Sequence, residues 1–150
     1  MRVIVQRVSH ASVTINQTIK DSIGQGLLLL LGIEEADTDE DISWLVSKIL
    51  QMRIFDDHNG VMNISVQDIS GSILIISQFT LFASCKKGNR PSYIRAAKHE
   101  KAIPLYNNFC HAIKTQNKGY TGTGEFGADM KVELLNNGPV TIYLDSKMRE

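Results

Sequence analysis

Gly26-Leu27-Leu28-Leu29-Leu30-Leu31-Gly32-Ile33 is the stretch that decides the fold. A half-buried strand alternates apolar and polar residues, so an unbroken apolar run between glycines reads as a strand covered on both faces. Ser72-Ile73-Leu74-Ile75-Ile76-Ser77-Gln78 has the same character. Two such strands need apolar partners on either side, and the sheet that holds them is expected to curl strongly. The flanking segments supply further strands. Residues 2–8 (RVIVQRV) are rich in β-branched side chains, and residues 11–15 alternate Ala11, Val13 and Ile15 with Ser12 and Thr14. Asn16-Gln17 is expected to turn the chain into a short return strand ending near Ile23. Near the C-terminus, residues 130–135 and 140–144 read as two strands, with the intervening Asn-Gly-Pro read first as a turn.

Two helices complete the outline. Thr38 is a plausible N-cap, followed by Asp39, Glu40 and Asp41 in the turn where carboxylates suit the helix dipole. Ile42, Leu45, Val46, Ile49 and Met52 then form an apolar stripe. A second helix is placed at about 94–116, with Leu105, Tyr106, Phe109 and Ile113 facing inward. Pro104 inside that pattern means a late start or a kink. Residues 56–60 (DDHNG) are a turn, and 85–92 and 119–127 are loops. The expected fold is α/β (α+β): a strongly curled, barrel-like mixed sheet backed by two main helices, in a single domain spanning 1–150.

Bulk properties narrow the function. The chain is 43% hydrophobic and 21% charged with zero net charge, an ordinary globular composition. The Leu27–Leu31 run is far shorter than the about 20 residues needed to span a bilayer, and residues 1–13 lack the apolar core of a signal peptide. The reading is a soluble, cytoplasmic protein without a membrane partner. Cys85 and Cys110 are too few for a disulfide framework, and His10, His58, His99 and His111 lack the spacing of a metal site. Neither a metal nor a cofactor is expected. No GxSxG elbow surrounds Ser77, Thr80, Ser84 or Cys85, and the acids form no catalytic pair. Charge is uneven, however. Lys86, Lys87, Arg90, Arg95, Lys98 and Lys101 face only Glu100 in that stretch. Such a run is either a solvated face or a phosphate-binding patch.

Two segments stand apart from routine scaffold. Ser77-Gln78-Phe79-Thr80-Leu81 puts three polar side chains beside Phe79 at the end of an apolar strand. Asn136-Asn137-Gly138-Pro139-Val140-Thr141 contains a Gly-Pro step, where a cis peptide costs only about 0.5–1 kcal/mol. A cis step can aim consecutive carbonyl oxygens the same way, and two such acceptors would seat an ammonium group.

Together these segments resemble the D-aminoacyl-tRNA deacylase (D-tyrosyl-tRNA deacylase) family. Residues 77–81 match its SQFTL motif, and 136–141 match its Asn-x-Gly-Pro-x-Thr motif. The resemblance continues through QRVSHASV (6–13), IGQGLLLLLGI (23–33), KGNRPSY (87–93) and FGADMKVELLNNGPVT (126–141). It implies an esterase that releases D-amino acids, and glycine mischarged on alanine tRNA, while rejecting L-aminoacyl groups. It implies a homodimer with the active site at the subunit interface, acting on the acceptor end of tRNA. Ser77, Gln78, Phe79 and Thr80 would line the catalytic pocket, with Phe79 near the terminal adenosine and Gln78 and Thr80 at the scissile ester. Gly138 and Pro139, in cis and from the other subunit, would grip the α-ammonium with their carbonyls. Asn136 and Thr141 complete that substrate-binding motif, and Arg7 would brace it. Met130 and Phe126 would flank the pocket. Lys86, Lys87 and Arg90 would contact phosphates of the acceptor stem. A sibling family that lacks SQFTL, and a non-catalytic RNA-binding module, are the rival readings. Whether Thr80 is a nucleophile or water attacks directly stays open.

Overall fold

The computed structural model describes residues 1–149. Its chain order is β1 (Arg2–Ile15), β2 (Thr18–Ile23), β3 (Gly26–Gly32), α1 (Asp39–Gln51), β4 (Phe55–Asp56), β5 (Met62–Ile64), β6 (Ser72–Ser77), α2 (His99–Gln116), β7 (Thr121–Thr123) and β8 (Met130–Asp145). A 3-10 turn at Phe79–Phe82 follows β6 directly.

The main sheet runs β2-β1-β3-β6-β7, with β8 also paired to β1. Strands β3, β6 and β7 are parallel neighbours, whereas β1 is antiparallel to β2, β3 and β8. The two apolar strands are buried on both faces, as their composition requires. Leu27, Leu29 and Leu31 join Ile73 and Ile75 beneath α1 and α2. Leu28, Leu74 and Ile76 point the other way and meet Val8, Ala11, Val13 and Ile23. This second core exists because β1 outlasts its pairing with β3. Its first half pairs with β3 through Val8, its second half with β2 from Ala11, so the sheet bends over its own concave face. Asp21 on β2 spans the remaining gap to β7. Its carboxylate accepts the Thr123 backbone N–H at 3.0 Å and the Tyr120 hydroxyl at 2.9 Å. The result is the curled, barrel-like mixed sheet with two helices that the apolar strands imply.

Several local expectations hold. Asn16 and Gln17 both take positive φ (50° and 63°), the left-handed pair that closes a two-residue hairpin. In α1, Ile42, Leu45, Val46 and Ile49 are buried, and the Thr38 N–H donates to Asp41 at 2.8 Å. Asp57 organises the 57–60 turn by accepting the N–H groups of Asn59 and Val61. None of the helices among the described residues is long and apolar enough to cross a membrane.

Several details differ, the first being that residues 121–123 of the expected 119–127 loop form β7 beside β6. Residues 2–15 form one strand rather than two. Residues 130–145 likewise form one strand, and Asn-Gly-Pro is not a hairpin turn. Both halves of β8 pair with the same strand: Val8 faces Asn136, Gln6 faces Thr141, and the four residues 137–140 bulge out opposite Arg7 alone. The second helix starts at His99, not near 94. The Ala97 N–H is taken by the Ile33 carbonyl at 2.9 Å, which holds the preceding residues against the end of β3. Pro104 therefore sits early in α2.

Candidate active site

The end of β6 opens into a cleft of about 450 Å³. Ser77, Gln78 and Phe79 form one wall, the 93–99 segment a second, and Phe126 with Gly127 a third. A smaller hollow of about 300 Å³ shares Ser77, Gln78, Phe79 and Gly127 and continues to Met130 and Val132. Phe79 thus stands between two concavities. Its ring is 57% exposed and meets Tyr93 edge-on at 5.0 Å. Phe126 is held by edge contact with His99 at 5.7 Å and by a tilted contact with Tyr106 at 5.6 Å. The sequence-derived residues Ser77, Gln78, Phe79, Phe126 and Met130 are brought together here. Tyr93, Lys98 and His99 are additional lining residues. Tyr93 belongs to the KGNRPSY segment and Lys98 to the stretch that composition assigns to helix, whereas His99 opens α2 and no sequence signal points it into the cleft.

The backbone turns sharply at this point. The Gln78 N–H completes the ladder to Leu31 O at 2.7 Å, and then the chain enters the 3-10 turn, where Leu81 N–H returns to Gln78 O and Ala83 N–H to Thr80 O. Phe79 and Thr80 open that turn, the place where N–H groups lack a partner within the helix. The Thr80 hydroxyl accepts a hydrogen bond from the Gln78 side-chain amide. An amide donor cannot take a proton, so this contact does not activate Thr80 as a nucleophile. Neither Cys85 nor Cys110 is among the described residues lining the two concavities. Cys110 is half-buried in α2, and burial pushes its thiol up to about 11.

The second motif is built differently. Gly138 and Pro139 are exposed at the crest of the β8 bulge and joined by a cis peptide bond. The bulge deprives flanking carbonyls of ladder partners, and one side chain replaces them: the Asn136 amide donates to Arg7 O and Val140 O, each at 3.0 Å. Arg7, only 6% exposed, donates from Nε to Asn137 O at 3.0 Å. The other end of its guanidinium is anchored by Ile54 O at 2.7 Å and Asp56 at 3.2 Å. Gly138 has φ +136°, and a Cβ there would lie 2.9 Å from the Val140 backbone nitrogen, so the position demands glycine. Thr141 Oγ1 accepts from the Gln6 side chain at 3.3 Å. Neither concavity at β6 has any of residues 136–141 among its described lining residues. One copy of the chain therefore holds the two motifs at separate places.

Lys86, Lys87 and Arg90 project into solvent from the loop before Tyr93. Arg95, from the same basic stretch, instead pairs with Glu34 at 3.2 Å.

Residues 4–145 match the family described as D-Tyr-tRNA(Tyr) deacylase. The D-aminoacyl-tRNA deacylases of Phocaeicola vulgatus and Bacteroides thetaiotaomicron are 65% and 62% identical to this chain, over 100% of both partners in each case. A solved structure of a c-Myc DNA unwinding element binding protein superposes with a TM-score of 0.91 at 40% identity, covering 97% of this chain and 98% of that one. A probable eukaryotic D-amino acid tRNA deacylase shares the fold, with a TM-score of 0.81 at 18% identity over 95% and 97% of the two chains. Near-complete coverage at such identity, together with the SQFTL cleft and the glycine-proline bulge, leaves one conclusion: the chain belongs to the D-Tyr-tRNA(Tyr) deacylase family.

Proposed function

We propose that the protein hydrolyses the ester bond of D-aminoacyl-tRNA, giving a free D-amino acid and tRNA, and that it excludes L-aminoacyl groups by shape. The observation that carries this reading is the cleft at the end of β6, with Ser77, Gln78 and Phe79 on its wall in a chain of this family. The acceptor end of tRNA enters that cleft, and Phe79 packs beside the terminal adenosine. The carbonyls of Gly138 and Pro139 are supplied by a second copy of the chain, because the motifs lie apart in one copy. The 16-residue strand β8 supports such pairing, since it lies at the sheet margin beside β1 and carries exposed Leu135 and Tyr143.

Those carbonyls accept hydrogen bonds from the substrate α-ammonium. With the ammonium and the ester carbonyl both fixed, only one direction from Cα is closed by rigid backbone. A D-amino acid presents hydrogen there, and an L-amino acid presents its side chain. Glycine has nothing to exclude, so glycyl-tRNA is a substrate as well. Water attacks the ester carbon, the Phe79 and Thr80 N–H groups steady the developing oxyanion, and the ribose oxygen leaves with a proton. The ribose 2′-OH assists, and no side chain need become covalently attached. Lys86, Lys87 and Arg90 meet acceptor-stem phosphates, contacts that carry no base preference and suit many tRNAs. The protein works in the cytoplasm, where charged tRNA is used.

The test is release of tyrosine from D-tyrosyl-tRNA and L-tyrosyl-tRNA by the purified protein without added metal. Rapid release of the D form alone is expected. Equal release of both would point to a general esterase, and binding without release to an RNA-binding module.

A further inference from the structure

Arg2 lies far from the cleft in sequence, and the first motif depends on it in space. Its Nη1 donates to the carbonyl of Leu81, the last residue of SQFTL, at 2.9 Å. Its Nε donates to Asp145 at 2.9 Å, which sets the plane of the guanidinium. The guanidinium carbon lies 4.5 Å from the ring centre of Phe82, the residue that ends the 3-10 turn and is fully buried. One side chain thus grips the turn by a backbone carbonyl and by an aromatic ring, two adjacent points. The base of this clamp is itself paired on both sides, Arg2 facing Gly32 on one and Asp145 on the other. The preceding Met1 ammonium is buried against Asp37 and donates to Ser146 Oγ at 2.8 Å.

We infer that Arg2 is a positioning residue for the deacylation reaction: by holding Leu81 O and the Phe82 ring it sets the tilt of the 3-10 turn and hence the aim of the Phe79 and Thr80 N–H groups. This rests on the functional reading above. The clamp acts on donors that matter when negative charge develops on the ester oxygen, not on the surface that meets tRNA. Loss of the clamp therefore lowers kcat and leaves KM nearly unchanged. Lysine does not substitute. It keeps the charge, but a single ammonium lacks the planar fork that serves Leu81 O and Asp145 together.

The experiment compares wild type, Arg2→Ala, Arg2→Lys and Asp145→Asn with D-tyrosyl-tRNA, well below each variant's Tm, alongside hydrogen exchange of the 79–83 amides. A fall in kcat of about tenfold for both Arg2 variants is expected, with KM within about twofold. Asp145→Asn, which keeps the guanidinium but loosens its plane, should fall in the same direction by a smaller factor. Exchange at Leu81 and Ala83, whose N–H groups bond back to Gln78 O and Thr80 O, should quicken about tenfold in the Arg2 variants, since the turn opens locally. Wild-type kcat and wild-type exchange in Arg2→Lys would overturn the inference, as would a loss confined to Tm. Should wild type release no D-tyrosine, the functional reading falls, and exchange at 79–83 still decides whether Arg2 holds the turn.

Discussion

The two motifs are carried by the same sheet yet built on opposite principles. At 77–81 side chains make the surface that packs against what enters, beside the backbone N–H groups proposed for the oxyanion: Phe79 stands in the open between two concavities, and Gln78 and Thr80 are bonded to each other. At 136–141 the side chains are turned to internal duty. Asn136 staples the base of the bulge, Arg7 holds its shoulder, and what faces outward is backbone. A carbonyl has no rotamer to adjust, so its aim is set wholly by the frame around it, whereas a ring or an amide can settle against whatever enters. Tolerance to substitution should differ accordingly, and each site can be challenged where its own principle is exposed.

The largest effect is expected at the bulge crest. Gly138→Ala places a Cβ 2.7 Å from a Val140 methyl and 2.9 Å from its nitrogen, at φ +136°. A non-glycine residue in such backbone costs about 1–3 kcal/mol, and the strain is relieved by moving the carbonyls. Release of D-tyrosine should fall about a hundredfold, equivalent to ~2.7 kcal/mol on the barrier. Whatever strain stays unrelieved lowers Tm by about 2–4 °C per kcal/mol in a chain of this size, so activity is compared well below the melt. Steady-state deacylation beside a thermal melt checks both. Wild-type activity would mean that the aim of these carbonyls is irrelevant to catalysis.

Phe79→Ala tests the opposite principle. It removes an exposed ring and one edge contact with Tyr93, worth about 0.5–1.5 kcal/mol beyond area burial. A fall in kcat/KM of about tenfold is expected, carried by KM, because an adaptable packing surface binds substrate and transition state alike. Leucine or tyrosine should restore most of it. If Phe79→Ala instead lowered kcat alone, the ring would belong with the aiming frame and the contrast between the motifs would weaken.

How much of this was legible in sequence follows the same division. Side-chain pattern is local and was readable. The Leu27–Leu31 run implied two covered faces, and the alternation at 11–15 and the Asn16-Gln17 turn were correctly placed. Backbone geometry set by distant partners was not. Asn-Gly-Pro has turn composition, and only the pairing of both its flanks with β1 makes it a bulge. Residues 94–98 have helical composition, but the Ile33 carbonyl claims the Ala97 N–H and the segment becomes a cleft wall instead. The separation of the two motifs within one chain was likewise invisible to composition and reached only through resemblance. Arg2 and Arg7 are five positions apart on β1 and alike in sequence, yet one grips the turn after β6 and the other the bulge of β8.

A smaller effect should arise at the solvated loop, which belongs to neither motif. Replacing Lys86, Lys87 and Arg90 by glutamine should weaken tRNA capture mainly at low salt. If all three meet phosphates, the slope of log KM against log salt should fall by about 2–3, counting roughly 0.7–0.9 per contact. An unchanged slope, measured between 50 and 200 mM salt as a range typical of such titrations, would leave the loop as an ordinary solvated face.

The smallest effect is expected where a conventional hydrolase would show its greatest. Thr80 carries the hydroxyl nearest in kind to a nucleophile, yet it accepts from the Gln78 amide. Deleting it leaves the backbone N–H at 80 in place, and that group serves the oxyanion in the water route. Thr80→Ala should keep activity within about tenfold of wild type, a barrier change below ~1.4 kcal/mol. Thr80→Pro removes the N–H and should be far more damaging, though its fixed φ suits the first turn of a helix. Their ratio separates side-chain from backbone catalysis at one position. A collapse of activity in Thr80→Ala, or capture of an acyl group on Thr80 in rapid-quench samples, would make the hydroxyl the nucleophile.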